Sequence, residues 1–277
     1  MLRRVLAVLA IIGVVAGLAA FGVHMLFGKL DLPNAQESRC DLTGTAYSVS
    51  TEQAANAATV TAVAVRRRLP ARAAVIALAT ALQESKLINV EYGDLDSVGL
   101  FQQRPSQGWG STGQILDPRY AAGKFYDRLV KVRGWQRRSL SEVAQAVQQS
   151  KFPEAYSQWE DEATALARAL LGTATAGVSC RFPAPTVVAR PARVAELLGR
   201  DLPVTLLSSS ARAVELRPAS GLGWAAANWL VAHADRLGID TVRHAGRRWT
   251  RSDGWRDDAG AGSDRVRVEL ADIKPSS

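Results

Sequence analysis

From Val5 to Phe27 the chain carries no aspartate, glutamate, lysine or arginine, and His24 is the one polar side chain in the run. A helix needs about 20 apolar residues to cross a bilayer, and this stretch is long enough. A helix buried in a soluble protein would show a polar stripe, and this run has none. Arg3 and Arg4 flank its start, while only Lys29 stands near its end. The basic flank is expected to stay inside, so the bulk of the chain is expected outside the cytoplasm, held at the cell membrane by a single pass. Ala19-Ala20 offers part of a cleavage site, but the apolar run continues past it. The expectation is therefore an uncleaved signal anchor over residues 1–28. Residues 29–50, with Pro33 and Gly44, read as a short polar stalk.

That compartment bears on the cysteines, of which the sequence has two. In an oxidising environment Cys40 and Cys180 are expected to pair, the alternative being two free thiols. They bracket the central segment. A bridge closing so long a loop contributes on the order of 4 kcal/mol if it acts through chain entropy.

Inside the bracket, Thr51 opens an alanine- and valine-rich helix with Glu52 in its first turn and Arg66-Arg67-Arg68 at its end. Leu69-Pro70 breaks it and suits the start of a second helix. There Ala74, Val75, Leu78, Ala81 and Leu82 recur at three- and four-residue steps, the spacing of one buried face. Glu84 falls on the last turn of that helix. The partial negative charge of a helix C-terminus and apolar surroundings both disfavour an ionised carboxylate there. A carboxyl that keeps its proton near neutrality can act as a general acid. The plainer alternative is a solvated helix-end glutamate. A dense run of polar residues and glycines follows, holding Asp94, Asp96, Ser97, Gly99, Gln102 and Gln103, and then Pro105, Gly108, Trp109 and Gly110. It reads as a loop. Further helices are expected from Asp117-Pro118, over Leu140 to Gln149 with Ser141 as N-cap, and over Ala155 to Leu171.

Gln83-Glu84-Ser85 followed by Ser97-Val98-Gly99-Leu100-Phe101-Gln102 resembles the core motif of lysozyme-like lytic transglycosylases. The continuation through Trp109-Gly110 is similar to the form found in actinobacterial cell-wall proteins. The resemblance spans roughly residues 51–171 and implies a mainly α lysozyme-like domain, here bounded at 51–180, that acts on peptidoglycan glycan strands. It implies Glu84 as the acid. It implies that Ser97, Gly99, Phe101 and Gln102 line the sugar site, although Phe101 suits core packing equally. Asp96 lies in the same loop. Trp109 either stacks on a saccharide ring or anchors the loop. Family members bring a tyrosine and amides back toward the cleft, and Gln145, Gln148, Gln149 and Tyr156 stand in that region. Tyr156 is carried over, although the family's tyrosine motif is not intact here. It fits equally a core aromatic with its hydroxyl at the rim. Breaking a glycosidic bond takes a proton on the leaving oxygen and stabilisation of an oxocarbenium-like centre. In lytic transglycosylases one glutamate is first acid and then base, and the sugar's 6-hydroxyl attacks to give a 1,6-anhydro end. Hydrolysis with a second carboxylate, Asp94 or Asp96, stays open.

Residues 181–203 hold several prolines and read as a linker. Beyond it, strands are expected over Val204 to Leu207, Ala213 to Leu216, Thr241 to Ala245 and Val266 to Leu270, with a helix over Gly221 to Leu237 stopped by Gly238. Residues 204–277 thus form a small α/β unit, and the whole is α+β. Gly221-Leu222-Gly223-Trp224 and Gly246-Arg247-Arg248-Trp249 resemble a C-terminal domain with a zinc D-Ala-D-Ala peptidase-like fold. Its relatives end in Asp-His-Val-His-Val, where this chain has Asp264-Arg265-Val266-Arg267-Val268. Arginine has no lone pair to give zinc. No metal and no cofactor are expected, and the unit is expected to contact the wall or a partner.

The formal net charge is +8, with no basic run interleaved with aromatics. Nucleic acid is thus not the expected partner, and an anionic wall polymer or a membrane surface is. The leading expectation is an anchored muramidase or lytic transglycosylase. The alternative is a lysozyme-fold scaffold or binding module with little chemistry.

Overall fold

A computed structural model describes residues 38–149 and 153–272. The expected membrane anchor lies outside the described residues, and among those no helix is long and apolar enough to cross a membrane.

The chain is mixed α+β, as composition and pattern led one to expect. Strands β1 (Arg39–Leu42) and β2 (Ser48–Ser50) lead into α1 (Thr51–Arg66). Ser50 caps α1 in a reciprocal pair with Gln53. Every residue of α1 from Ala54 to Ala62 is buried. Its alanines let neighbouring helices approach closely from several sides. Next comes α2 (Ala71–Ser85), with Pro70 at its N-cap. After a loop follow α3 (Thr112–Ile115), α4 (Pro118–Leu129) and α5 (Leu140–Gln148). The helix expected from Asp117-Pro118 is α4, and Asp117 is its N-cap. The cap of α5 is Ser139, paired with Glu142, whereas Ser141 is buried as the second residue of the helix. The reciprocal Ser-x-x-Glu pattern starts at Ser139, which is why that serine wins. The last expected helix is two elements, a 3-10 turn over Pro153–Trp159 and α6 (Glu160–Leu170).

β3 (Val178–Arg181) then returns to pair with β1, giving a three-stranded antiparallel sheet in the order β2-β1-β3. Cys40 and Cys180 are direct partners in that register and form the disulfide. The segment from Arg39 onward is thus sheet rather than stalk. Within the expected linker, α7 (Pro191–Asp201) forms, with Pro191 in its first turn.

The C-terminal part is a six-stranded antiparallel sheet in the order β4-β5-β9-β6-β7-β8. Its strands are β4 (Val204–Ser209), β5 (Ala213–Pro218), β6 (Ile239–His244), β7 (Arg247–Thr250), β8 (Gly254–Asp257) and β9 (Val266–Leu270). The last strand inserts between β5 and β6 and buries Val266, Val268 and Leu270. The expected helix over residues 221–237 is broken into α8 (Gly223–Ala232) and α9 (Ala234–Leu237) at His233.

The described residues from Ser38 on form one compact unit. Helical and sheet parts share a core through α8. Asn228 donates to the Ala169 carbonyl at 2.7 Å, and Asp201 takes both the Arg119 guanidinium and the Trp229 indole N–H.

Candidate active site

Glu84 is the penultimate residue of α2 and is half-buried. The helix ends sharply behind it, because Lys86 and Leu87 both adopt left-handed backbone conformations (φ 56° and 60°). Such conformations are costly for residues with a Cβ and persist where surroundings enforce them. Here Gln53 donates to the Lys86 carbonyl and buried Asn56 to the Leu87 carbonyl, both at 2.8 Å. Helix α1 therefore fixes the turn that presents Glu84.

Three elements meet at this carboxyl. Tyr156, on the 3-10 turn, donates its hydroxyl to Glu84 Oε1 at 2.6 Å. Gln148, the last residue of α5, brings its side-chain amide near enough to favour the ionised carboxyl. The same Gln148 amide donates to the Phe101 carbonyl at 2.7 Å, tying the loop to the acid. Ser85 fastens the loop from the other side, its hydroxyl donating to the Leu100 carbonyl at 2.8 Å. Burial pushes the Glu84 carboxyl above the ordinary carboxylate range, and the Tyr156 hydroxyl and the Gln148 amide pull it part of the way back. Close by, burial also raises Glu162 on α6, which faces the Lys86 ammonium. Lys86 itself sits 4.0 Å above the Trp159 ring, and the Trp159 indole donates to Gln83 at 2.8 Å.

The remaining residues implied by the motif mostly build the loop. Phe101 is fully buried and stacks on Phe125 with centroids 4.8 Å apart, so its ring is core and only its carbonyl serves the site. Trp109 is buried, with the Arg128 guanidinium 3.4 Å from its ring centroid, and anchors the loop. Gly99 (φ +78°) lies against α3, where a Cβ would stand 2.9 Å from the Ile115 carbonyl oxygen. Packing therefore demands the glycine there. Ser97 is buried, its N–H on the Asp94 carbonyl. Gln102 donates to the Gly99 and Tyr92 carbonyls at 3.2 and 3.4 Å. Asp96 accepts from Arg104 Nε at 2.6 Å, from the Ser106 N–H at 2.8 Å and from the Ser106 hydroxyl at 3.0 Å. Those bonds hold its carboxyl well below the usual range and occupy it structurally. Of the implied site residues, the structure thus brings Tyr156 onto Glu84 and makes the rest the frame behind them. Gln148 was named in sequence only as one amide among several. Its position at the end of an amphipathic helix was the one available signal.

The zinc site of the resembled C-terminal domain does not fit this chain. Arg265 and Arg267 lie 3.8 and 3.6 Å from the Glu215 carboxylate and pair with it. His233 is buried against Trp229, its Nδ1 2.9 Å from the Trp229 carbonyl oxygen, and burial pushes the ring down to about 3. His244 Nδ1 faces the Arg265 carbonyl at 2.9 Å. No protein-family model matches the chain, and no curated protein matches it.

Proposed function

We propose that the chain cleaves the MurNAc–GlcNAc bond of peptidoglycan with Glu84 as its single acid and base. The observation that carries this reading is the carboxyl itself: raised by burial and held by the Tyr156 hydroxyl, with the Gln148 amide nearby, at a strained helix end. Burial favours the protonated form, which is the form that protonates the leaving glycosidic oxygen. Once the proton has gone, the Tyr156 hydroxyl and the Gln148 amide stabilise the anion. The anion then takes a proton from the attacking group, the sugar's own 6-hydroxyl in anhydro-forming cleavage or water in hydrolysis. Asp96, one of the two loop carboxylates considered for a second role, is occupied by Arg104 and Ser106, which supports chemistry with one carboxylate.

Glu84→Gln keeps shape and polarity while removing the acid. Purified peptidoglycan should be digested at least about 100-fold more slowly by the variant, the usual scale of general acid catalysis. Mass spectrometry of the parent's products separates the routes, since an anhydro end is lighter by one water. An unchanged digestion rate in the variant would remove Glu84 from the chemistry. A second reading, a wall-binding scaffold of the same build, is favoured by the Phe101 ring, Trp109 and Asp96 serving structure alone. It predicts retention on insoluble wall without release of soluble fragments.

A further inference from the structure

Two cavities, of about 560 and 390 Å³, adjoin where α1 ends beside β4, sharing Pro203, Ala219 and Ser220. The larger reaches Arg66 and Arg68, with Val65 and Leu222 as aliphatic wall, and the smaller reaches Arg217. Neither is lined by a carboxylate or an aromatic side chain. Arg66 donates only to a neutral group, the Gly199 carbonyl, and Arg217 lies 3.6 Å from Asp264, with both side chains more than half exposed. Among the described residues Arg66 and Arg68 thus have no carboxylate partner, while Arg217 is partly offset by the exposed Asp264. The arginine-lined cavity on the C-terminal sheet is different, because there a carboxylate, Glu215, is itself part of the lining and pairs with Arg265 and Arg267.

We propose that this groove binds a linear phosphodiester polymer whose repeat carries a polyol rather than a base. Guanidinium forks match phosphate oxygens with paired hydrogen bonds. Their placement at both ends of a groove with an aliphatic floor suits successive phosphates joined by a short carbon chain. Polymers with bases draw affinity from aromatic platforms, which this lining does not offer. The lining shares no residue with Glu84, Tyr156 or Gln148, so a bound polymer holds the protein in place without filling the candidate active site.

The test is calorimetric titration of the full-length chain in non-ionic detergent with poly(glycerol phosphate), repeated at several salt concentrations. Saturable binding is expected, with log affinity falling by roughly 0.7 per neutralised phosphate for each log unit of salt, as for single-stranded polyanions. Oligothymidylate and polyglutamate of equal charge should bind at least about tenfold more weakly. The double variant Arg68→Gln, Arg217→Gln should lose at least about tenfold in affinity. Ser220→Glu, which adds a carboxylate to the groove and removes no contact, should do the same. Replacing the exposed Arg133 and Arg137 by Gln is the control, expected to change affinity by less than about twofold. Undiminished binding in both groove variants, an equal loss in the control, or equal affinity for oligothymidylate or polyglutamate would each overturn the proposal. So would the absence of saturable binding by the parent.

Discussion

Burial and hydrogen bonding pull the Glu84 carboxyl in opposite directions, and each can be removed separately. Tyr156→Phe deletes the donor at 2.6 Å and leaves the buried ring in place. The anion loses a stabilising bond, so the carboxyl should hold its proton to still higher pH. The alkaline limb of the pH–rate profile should move upward. A hydrogen bond to a charged group is worth about 1.5–3 kcal/mol, so kcat should fall roughly ten- to a hundredfold as the anionic stage is lost. A tyrosine that only packs would leave the limb where it was. Stability should carry the opposite signature. A carboxyl raised in the folded state binds its proton more tightly there than in the unfolded chain, so ionising it costs stability as pH climbs from the unfolded to the folded pKa. Glu84→Gln escapes that cost. Its melting temperature should match the parent's in acid and exceed it near neutrality; a gap that is constant with pH would contradict the buried-acid picture. Glu84 was legible in sequence because helix periodicity ends on it. Phe101 and Trp109 were not, because a motif position does not say which way a side chain points. Asp96 was not, because its partners Arg104 and Ser106 are fixed only once the loop has folded back.

At the scale of elements, the loop after α2 is held by many side chains, of which Asp96 makes the densest cluster of bonds. Asp96 alone gathers the Arg104 guanidinium and both donors of Ser106. Its depressed pKa means that this contribution is complete above the ordinary carboxylate range, near pH 4, and drains away as pH falls toward the folded value. Asp96→Asn should therefore speed hydrogen exchange of amides 94–106 at pH 7 while leaving those of α2 protected. Acidifying the parent below about pH 4 should lower the same amides' protection factors progressively toward those of the variant. Equal protection in parent and variant would mean the loop is held by its packing alone. Local signals found α1, α2, α4 and β9, where apolar periodicity or a cap stands in the sequence itself. They missed the sheet β2-β1-β3, whose strands are short and whose pairing joins residues near position 40 to residues near 180. They missed β7 and β8 as well. In β7 only Trp249 is buried among charged neighbours, so no alternation shows. The helix α7 was hidden behind prolines, although Pro191 opens it rather than breaking it.

At the scale of the whole molecule, the joint between helices and sheet turns on Asp201. Its side chain is 1% exposed and carries a paired contact from Arg119 on α4 and a bond at 2.8 Å from the Trp229 indole on α8. Burial still lifts its carboxyl above the usual range, against the pull of Arg119. Such a pair is weak as a source of net stability, but removing one partner strands the other. Asp201→Ala leaves the buried indole N–H without its acceptor and Arg119 without its charge partner. Breaking a buried pair in this way costs about 3–5 kcal/mol. In a unit of this size each kcal/mol lowers the melting temperature by roughly 2–4 °C, so a drop near 10 °C is expected. Asp201→Asn keeps an oxygen for Trp229 and should lose distinctly less. Because α8 is buried against both the helical part and the sheet, the loss should fall on both together. Calorimetry should show one transition in the parent and one, shifted down, in the alanine variant. If the variant instead shows two transitions, with the helical part melting at the parent's temperature, the helices form their own cooperative core. The site at Glu84 would then stand independently of the C-terminal sheet. The shared core predicts instead that the proposed wall-digesting activity, once measured, falls with temperature in step with the single transition.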